Sequence, residues 1–351
     1  MIARVLFSMA LALLTLSPAS ARSRTAIGEI ARQFDRHPLI MIGELHRGFE
    51  THAFLQQLLR APVFICKADD VVVEFGNSRL QALADDYVSG GEVSEAQLQS
   101  LWRETAVPLT WNSPVYRQIY ETVRDINRTH LCPHPIRILL GDPPLDWTKV
   151  QTAKDLEPFS DRDGSYAEVV EREVLAKHHH ALLIAGKLHA LKLLPQDMQS
   201  EYPDPTVAQL IEREHPGALF AIVTVPQAAA ARALNMAEAP SFRPVRGTTL
   251  ARADFQLTDY NGTVALGSVN GRASAEMLPD RHWPRMAEVV DGLLYLGGNH
   301  SVYPAPTIYL DPAYQQELRR RAAIIKDYSG QDFLTVIDDL VKQAGQGKSD
   351  K

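Results

Sequence analysis

The chain carries only two cysteines, no stripe of basic residues, and none of the short motifs that mark common hydrolases and nucleotide binders. There is no His-Glu-x-x-His helix, no Gly-x-Ser-x-Gly elbow and no glycine loop of the phosphate-cradling kind, so those peptidase, serine-hydrolase and nucleotide-binding readings lose support. A net charge of −6 without a basic face argues against a nucleic-acid partner. No repeat of solenoid length is visible. What remains is of globular composition, 45% hydrophobic and 22% charged, enough to bury a sizeable core.

The first residues read as an export signal. Arg4 gives a positive start, Val5 to Leu16 is apolar, and Ala19-Ser20-Ala21 is a small-x-small cleavage site. That run is too short to span a bilayer comfortably, which takes about 20 apolar residues. Residues 1–21 are therefore expected to be removed, leaving a periplasmic or secreted protein with no stable membrane span. Cys66 and Cys132 suit one disulfide in such a compartment. Each precedes an apolar strand by a few residues, so neighbouring strands would bring them within bonding reach. Two separate buried thiols are the alternative.

Short β-rich runs alternate with helical spacing, the pattern of an α/β fold with a mostly parallel sheet flanked by helices. The strand candidates are Leu39–Gly43, Val71–Phe75, Arg137–Gly141, Ala181–Gly186 and Leu219–Val225. Thr263–Ser268, Gly292–Leu296 and Thr307–Leu310 are read as extending the sheet or forming an edge hairpin, with a turn near Asn261-Gly262. Helical spacing around Ile119–Ile126 and Tyr166–Val174 fills two gaps. Residues 78–130, between the second and third strands, exceed one crossover and read as a helical insertion able to overhang the sheet. The whole of 22–346 is expected to be a single domain, with 227–346 its least legible part and 347–351 a fraying tail. Two C-terminal helices are expected over Ala313–Lys326 and Gln331–Gln343.

The chemistry is signalled by an echo. Leu39-Ile40-Met41-Ile42-Gly43-Glu44-Leu45-His46 and Leu182-Leu183-Ile184-Ala185-Gly186-Lys187-Leu188-His189 each run from four apolar residues into Gly-x-x-His. A glycine at a strand end permits a sharp turn or close approach. The histidine then projects at the carboxyl edge of the sheet, where ligand sites of open α/β sheets form. Carboxylates gather there too: Glu44, Glu74 and Asp142 each close an apolar strand, and burying one is costly unless it faces a polar pocket or a cation. For Asp142, followed by Pro143-Pro144, a cap or salt bridge is the plainer role.

Such a cluster supports two mechanisms. Imidazoles and carboxylates can hold a divalent metal, zinc or manganese, that activates water. Alternatively His46 is itself the general base, with Glu44 or Glu74 setting its tautomer. Spacing does not separate them. His178-His179-His180 reads as a helix end suited to the macrodipole, with metal binding the sharper alternative. His52 reads as a packing residue. His300 and Asp291 flank a late strand within possible reach of the pocket. Trp102, Trp111, Tyr116 and Tyr120 read as core, or as walls of an apolar cleft.

These residues resemble a known superfamily. Gly43-Glu44-Leu45-His46, the helix with Gln56 and Leu58, and Val72-Val73-Glu74-Phe75 with Arg79 and Gln81 look like the ChaN-like branch of the superfamily that also holds erythromycin-esterase-like enzymes and TIKI/TraB proteases. Leu80 to Ile126 looks like that branch's helical insertion, and Leu183–His189 with Thr206-Val207-Ala208 like its second Gly-x-x-His region. The resemblance covers roughly Ile40 to Val225. It implies three functions. Esterase-like members use the Glu and His of the first motif, here Glu44 and His46, to activate water. TIKI-like members hold a metal through both histidines and a carboxylate, here His46, His189 and Glu74. ChaN-like members bind haem in iron acquisition. The late His pair of the esterases is missing apart from His300. The expectation is a hydrolase acting on an ester or amide in a small molecule or peptide, with Glu44, His46, Glu74 and His189 catalytic and Asp142, Arg79 and His300 around the pocket. A haem- or iron-binding protein is the alternative.

Overall fold

In the computed structural model, the nearly unbroken apolar runs become the strands of one sheet. The structure describes residues 18–107, 109–194, 202–236, 238–257, 264–266 and 284–349. The predicted signal residues 1–17 lie outside them, and the first described helix, α1 (Pro18–Ala31), begins just before the expected cleavage point. Among the described residues no helix is long and apolar enough to cross a membrane.

The strands are β1 (Leu39–Glu44), β2 (Asp70–Asn77), β3 (Arg137–Asp142), β4 (Ala181–Gly186), β5 (Leu219–Thr224), β6 (Ser241–Pro244), β7 (Phe255–Leu257), β8 (Val264–Leu266) and β9 (Gly292–Tyr295). Among the described residues they make a seven-stranded sheet, ordered β3-β2-β4-β1-β5-β9-β6, and a separate pair, β7-β8. The large sheet is parallel except for β6, which runs antiparallel along β9 at one edge.

Both faces are covered, which is why the central strands lack polar alternation. Ile40, Ile42, Val71, Val73, Ile138, Leu140, Leu182 and Ile184 face a layer built from α1, α2 (Phe49–Leu59), α4 (Gln81–Ser89), α5 (Glu95–Arg103) and α6 (Pro114–Arg128). Leu39, Met41, Val72, Leu139, Leu183 and Val223 face the layer containing α7 (Arg162–Glu173) and α8 (Val207–Glu214). A short α3 (Pro62–Ile65) lies between α2 and β2. This topology positions the site. β1 and β4 are adjacent, with Glu44 opposite Gly186. The chain leaves β1 toward the first layer and leaves β4 toward the second. Neighbouring strands whose connections part to opposite faces open a crevice at their carboxyl ends.

Helices α4–α6 form the insertion between β2 and β3. They do not overhang as a separate flap: Leu98, Leu101, Trp102, Trp111, Tyr116, Ile119, Tyr120 and Val123 are buried in the same core as the sheet. Ser113 precedes Pro114, whose fixed φ suits the first turn of α6.

The C-terminal third departs from the sequence reading in identifiable ways. Thr307–Leu310 is no strand. Pro306–Leu310 is a 3₁₀ turn, because Pro306 lacks an N–H for a ladder yet fits a helical first turn, and Tyr309 packs against the C-terminal helices. Residues 264–266 pair with Phe255–Leu257 as an antiparallel ribbon, in line with the hairpin alternative, and do not extend the large sheet, whereas Gly292–Tyr295 does extend it. The predicted turn at Asn261-Gly262 lies outside the described residues. The Phe242 strand, β6, was hidden by Pro240 and Pro244 at its ends. The last helices run Pro312–Ser329 and Leu334–Ser349, so helix continues past residue 346.

Cys66 and Cys132 are joined by a disulfide with a Cα–Cα distance of 5.1 Å. They reach each other because β2 and β3 pair in register, Asp70 opposite Arg137. The bridge closes a loop containing β2 and the whole insertion. Replacing both cysteines with serine should destabilise the protein by about 2–4 kcal/mol through the freed unfolded chain. Urea unfolding of the double variant against the parent checks this, and an unchanged midpoint refutes it.

Candidate active site at the β1–β4 edge

The site is assembled from both sides of the sheet. Glu44 continues the Ile40, Ile42 face and points into the α2–α6 layer. Glu74 continues the Val72 face and points toward α7. Their histidines follow from β1 and β4 and meet over Gly186. A Cβ on Gly186 would stand 2.8 Å from His46 Cε1 and 3.4 Å from His189 Cδ2, so both rings press on the bare backbone. Gly43 does the same for the neighbouring turn, where a Cβ would meet Lys187 Cα at 2.9 Å. Both glycines of the echo thus serve close approach.

Glu44 is buried and takes three hydrogen bonds. His46 donates from Nδ1 at 2.8 Å, His52 from Nε2 at 3.0 Å and the Tyr116 hydroxyl at 3.2 Å. Burial pushes this carboxyl up, but the bonds from His46 and His52 outweigh it and hold it at about 2. An ionised Glu44 keeps the proton of His46 on Nδ1 and leaves Nε2 as the basic nitrogen. The His46 side chain is 38% exposed. Its ring stands edge-on to Trp111, with centroids 4.8 Å apart. Burial lowers its pKa, but Glu44 raises it more, and the balance is upward.

The second imidazole is held differently. His189 donates from Nδ1 to Asp163 at 2.7 Å, and its Nε2 lies 3.3 Å from Glu74. Burial works against its charge, yet Glu74 and Asp163 together raise its pKa to about 10. It is an imidazolium at neutral pH. Glu74 is buried and also accepts from Arg162 Nη2 at 3.1 Å and from the Gly186 N–H at 2.7 Å. Its carboxyl lies well below the usual range, because His189 and Arg162 overcome burial. Arg162 bridges on to Asp142 at 2.7 Å, and Asp142 also accepts from the Ala106 N–H. Asp142 is nonetheless pushed upward by burial.

The structure therefore brings Glu44, His46, Glu74, His189 and Asp142 to one edge. Arg79 lies apart from them, its Nε donating to the Leu145 carbonyl. His300 is exposed on the loop that meets Gly48, bonded to Glu50 in the first turn of α2. Asp291 sits at the amino end of β9, paired with Lys192 at 2.6 Å. His179 binds Asp70 at the amino end of β2, far along the strand from Glu74. Sequence reasoning passed over Arg162 and Asp163, which sit in the first turn of α7 after the cap Asp161 with no motif to mark them. It read His52 as packing. His52 is buried, but its place on α2, eight residues after Glu44, makes it a partner of that carboxylate.

No family model and no curated protein matches the sequence. Among solved structures the chain is similar to a succinoglycan biosynthesis protein, with TM-score 0.52 and 10% identity over 82% of this chain and 99% of the other. It is also similar to a Bacillus cereus protein solved by structural genomics, with TM-score 0.50 and 11% identity over 75% and 89%. At such identity the likeness is one of fold.

The residues present do not fit a resident divalent metal. Among the described residues no group of three or more His, Cys, Asp or Glu side chains is arranged to hold an ion. The physical reason is that the Arg162 guanidinium already neutralises Glu74 and Asp142, and His189 spends both nitrogens on carboxylates. The cavity behind His189 measures about 10 Å³, the room of one water.

Gly186→Ala should push the two rings apart while leaving the strand paired. Melting temperature is expected to fall only modestly, whereas any hydrolytic rate should fall about 100-fold, as expected for a displacement near 1 Å. A rate within threefold of the parent contradicts the close-approach role.

Proposed function

We propose that the protein is an exported hydrolase of the superfamily grouping ChaN-like, erythromycin-esterase-like and TIKI/TraB proteins, cleaving an ester or amide with water activated by His46 and without a metal. The observation that carries this reading is the division of labour between two adjacent histidines. His46 has one nitrogen fixed on a buried, ionised Glu44 and a side chain that is only partly covered. His189 is pinned as a cation. The disulfide supports export, since such bridges persist in oxidising compartments.

In this mechanism His46 Nε2 takes a proton from water as the water oxygen attacks the substrate carbonyl. Glu44 stabilises the imidazolium that forms, and cannot itself accept the proton readily with its pKa at about 2. His46 then returns the proton to the leaving oxygen or nitrogen. His189, already protonated and engaged by two carboxylates, does not compete for that proton and holds the Glu74 side of the crevice in place. Trp111 and Tyr116 fix the His46–Glu44 pair from the insertion side.

The base must be neutral to act, and the pKa of His46 lies above its ordinary 6.5. kcat/KM on a p-nitrophenyl ester panel should therefore rise with pH through one ionisation above 6.5. Glu44→Gln removes the influence that raises this pKa, moving the limb to lower pH and cutting the plateau by about 100-fold or more. His46→Ala should abolish the pH-dependent activity. Equal rates for His46→Ala and the parent across the panel overturn the proposal.

A further inference from the structure

Next to His46, the insertion and the C-terminal segment enclose a group of hydrogen-bond donors without acceptors. Arg47 follows His46 directly. Its backbone adopts φ +64°, a left-handed conformation that a side chain makes costly, and two bonds hold it there. Its N–H donates to the Tyr116 hydroxyl at 2.8 Å, and its carbonyl accepts from the Val302 N–H at 2.8 Å. Its Nε is buried with no partner. Arg103, at the end of α5, likewise has a buried Nε with no partner. Neither guanidinium forms an ion pair with a carboxylate among the described residues, although most of the described arginines do. The indole N–H of Trp111, a side chain 2% exposed, is a third orphaned donor.

These groups are linked through shared contacts. Trp111 packs against His46 and, at 5.0 Å, against Tyr116, which binds the Arg47 backbone. The next residue, Asn112, is bonded to Tyr314, and Arg103 stacks on that same tyrosine ring at 4.2 Å. Arg47 lies over Tyr303 at 5.1 Å. The buried Tyr309 hydroxyl, which burial pushes up to about 12, lies within the field of both Arg47 and Arg103. Leu109, which opens this turn of the insertion, is a second non-glycine residue with left-handed backbone, at φ +71°.

Burying a donor without an acceptor costs about 1–3 kcal/mol, and more for a charged group. Three such donors on segments linked through Tyr116, Asn112 and Tyr314, two of them cationic and neither cation in an ion pair among the described residues, are a cost that an incoming anion removes. We propose that Arg47, Arg103 and the Trp111 indole form a subsite for anionic oxygens, a carboxylate or phosphate group carried by the substrate, one residue away from the general base. A planar guanidinium fork suits either group. The hydrolase reading above supplies the link to a substrate; the anion site itself stands on the orphaned donors.

The probes are malonate and inorganic phosphate, titrated into the whole protein by calorimetry with tryptophan fluorescence in parallel. Saturable binding below about 10 mM is expected, with preference for one probe telling carboxylate from phosphate. Arg47→Gln and Arg103→Gln should each weaken it about tenfold or more. Trp111→Phe keeps the ring packing, removes the N–H and should weaken it about threefold. Arg213→Gln, on the outside of α8, should leave binding unchanged. His46→Ala should lose hydrolysis and keep anion binding, so the two readings fail separately. No saturable binding of either anion, or equal binding in the parent and all three site variants, overturns the subsite.

Discussion

A buried carboxylate has to be neutralised where it stands, and the carboxyl edge of this sheet contains three of them. Glu44, Glu74 and Asp142 end neighbouring or nearby strands, and each is almost sealed from solvent. Much of the site's arrangement follows from how each is satisfied. Glu44 is satisfied by donors from β1, α2 and α6, which fixes His46 and ties the insertion to the first Gly-x-x-His turn. Glu74 and Asp142 share Arg162 from α7, which fixes the other layer against the same edge. The polar network thereby joins the two faces of the sheet at the crevice between β1 and β4. Removing Arg162 would leave Asp142 buried without its counter-charge.

The same arithmetic separates the roles of the two histidines. Each belongs to a Gly-x-x-His turn, and each lies beside Gly186. One carboxylate bonds directly to His46, with Glu74 farther off, whereas two engage His189 directly. A single negative partner orients an imidazole and leaves it able to exchange a proton near neutrality. Two negative partners keep it charged through the whole physiological range. Identical motifs thus become a base and a fixed cation.

Much of this was legible in the sequence. The five central strands were readable because a parallel sheet buried on both faces demands unbroken apolar runs, and Val71-Val72-Val73 or Ile138-Leu139-Leu140 admit few other readings. The echo around Gly43 and Gly186 was readable because glycine, histidine and strand end recur in one order. What the sequence withheld were partners that come from helices. Arg162 and Asp163 sit beside a cap sequence like many others, and only the packing of α7 against β3 brings them to Glu74 and His189. His52 has an apolar helix around it and reads as packing until Glu44 is placed beside it. Thr307–Leu310 has strand-forming residues, but Pro304 and Pro306 and the helices beside it settle the segment as a turn.

The central physical claim is that the two rings hold different protonation states because of the carboxylates around them, and histidine ring nitrogens can be read directly. Nitrogen NMR of histidine-labelled protein, followed from acid to alkaline pH, measures it. His189 is expected to keep both ring protons until the pH nears about 10, while His46 loses its proton earlier and from Nε2, leaving Nδ1–H on Glu44. A His189 that becomes neutral at or below the pH at which His46 does, or a His46 that keeps its proton on Nε2, would contradict the account.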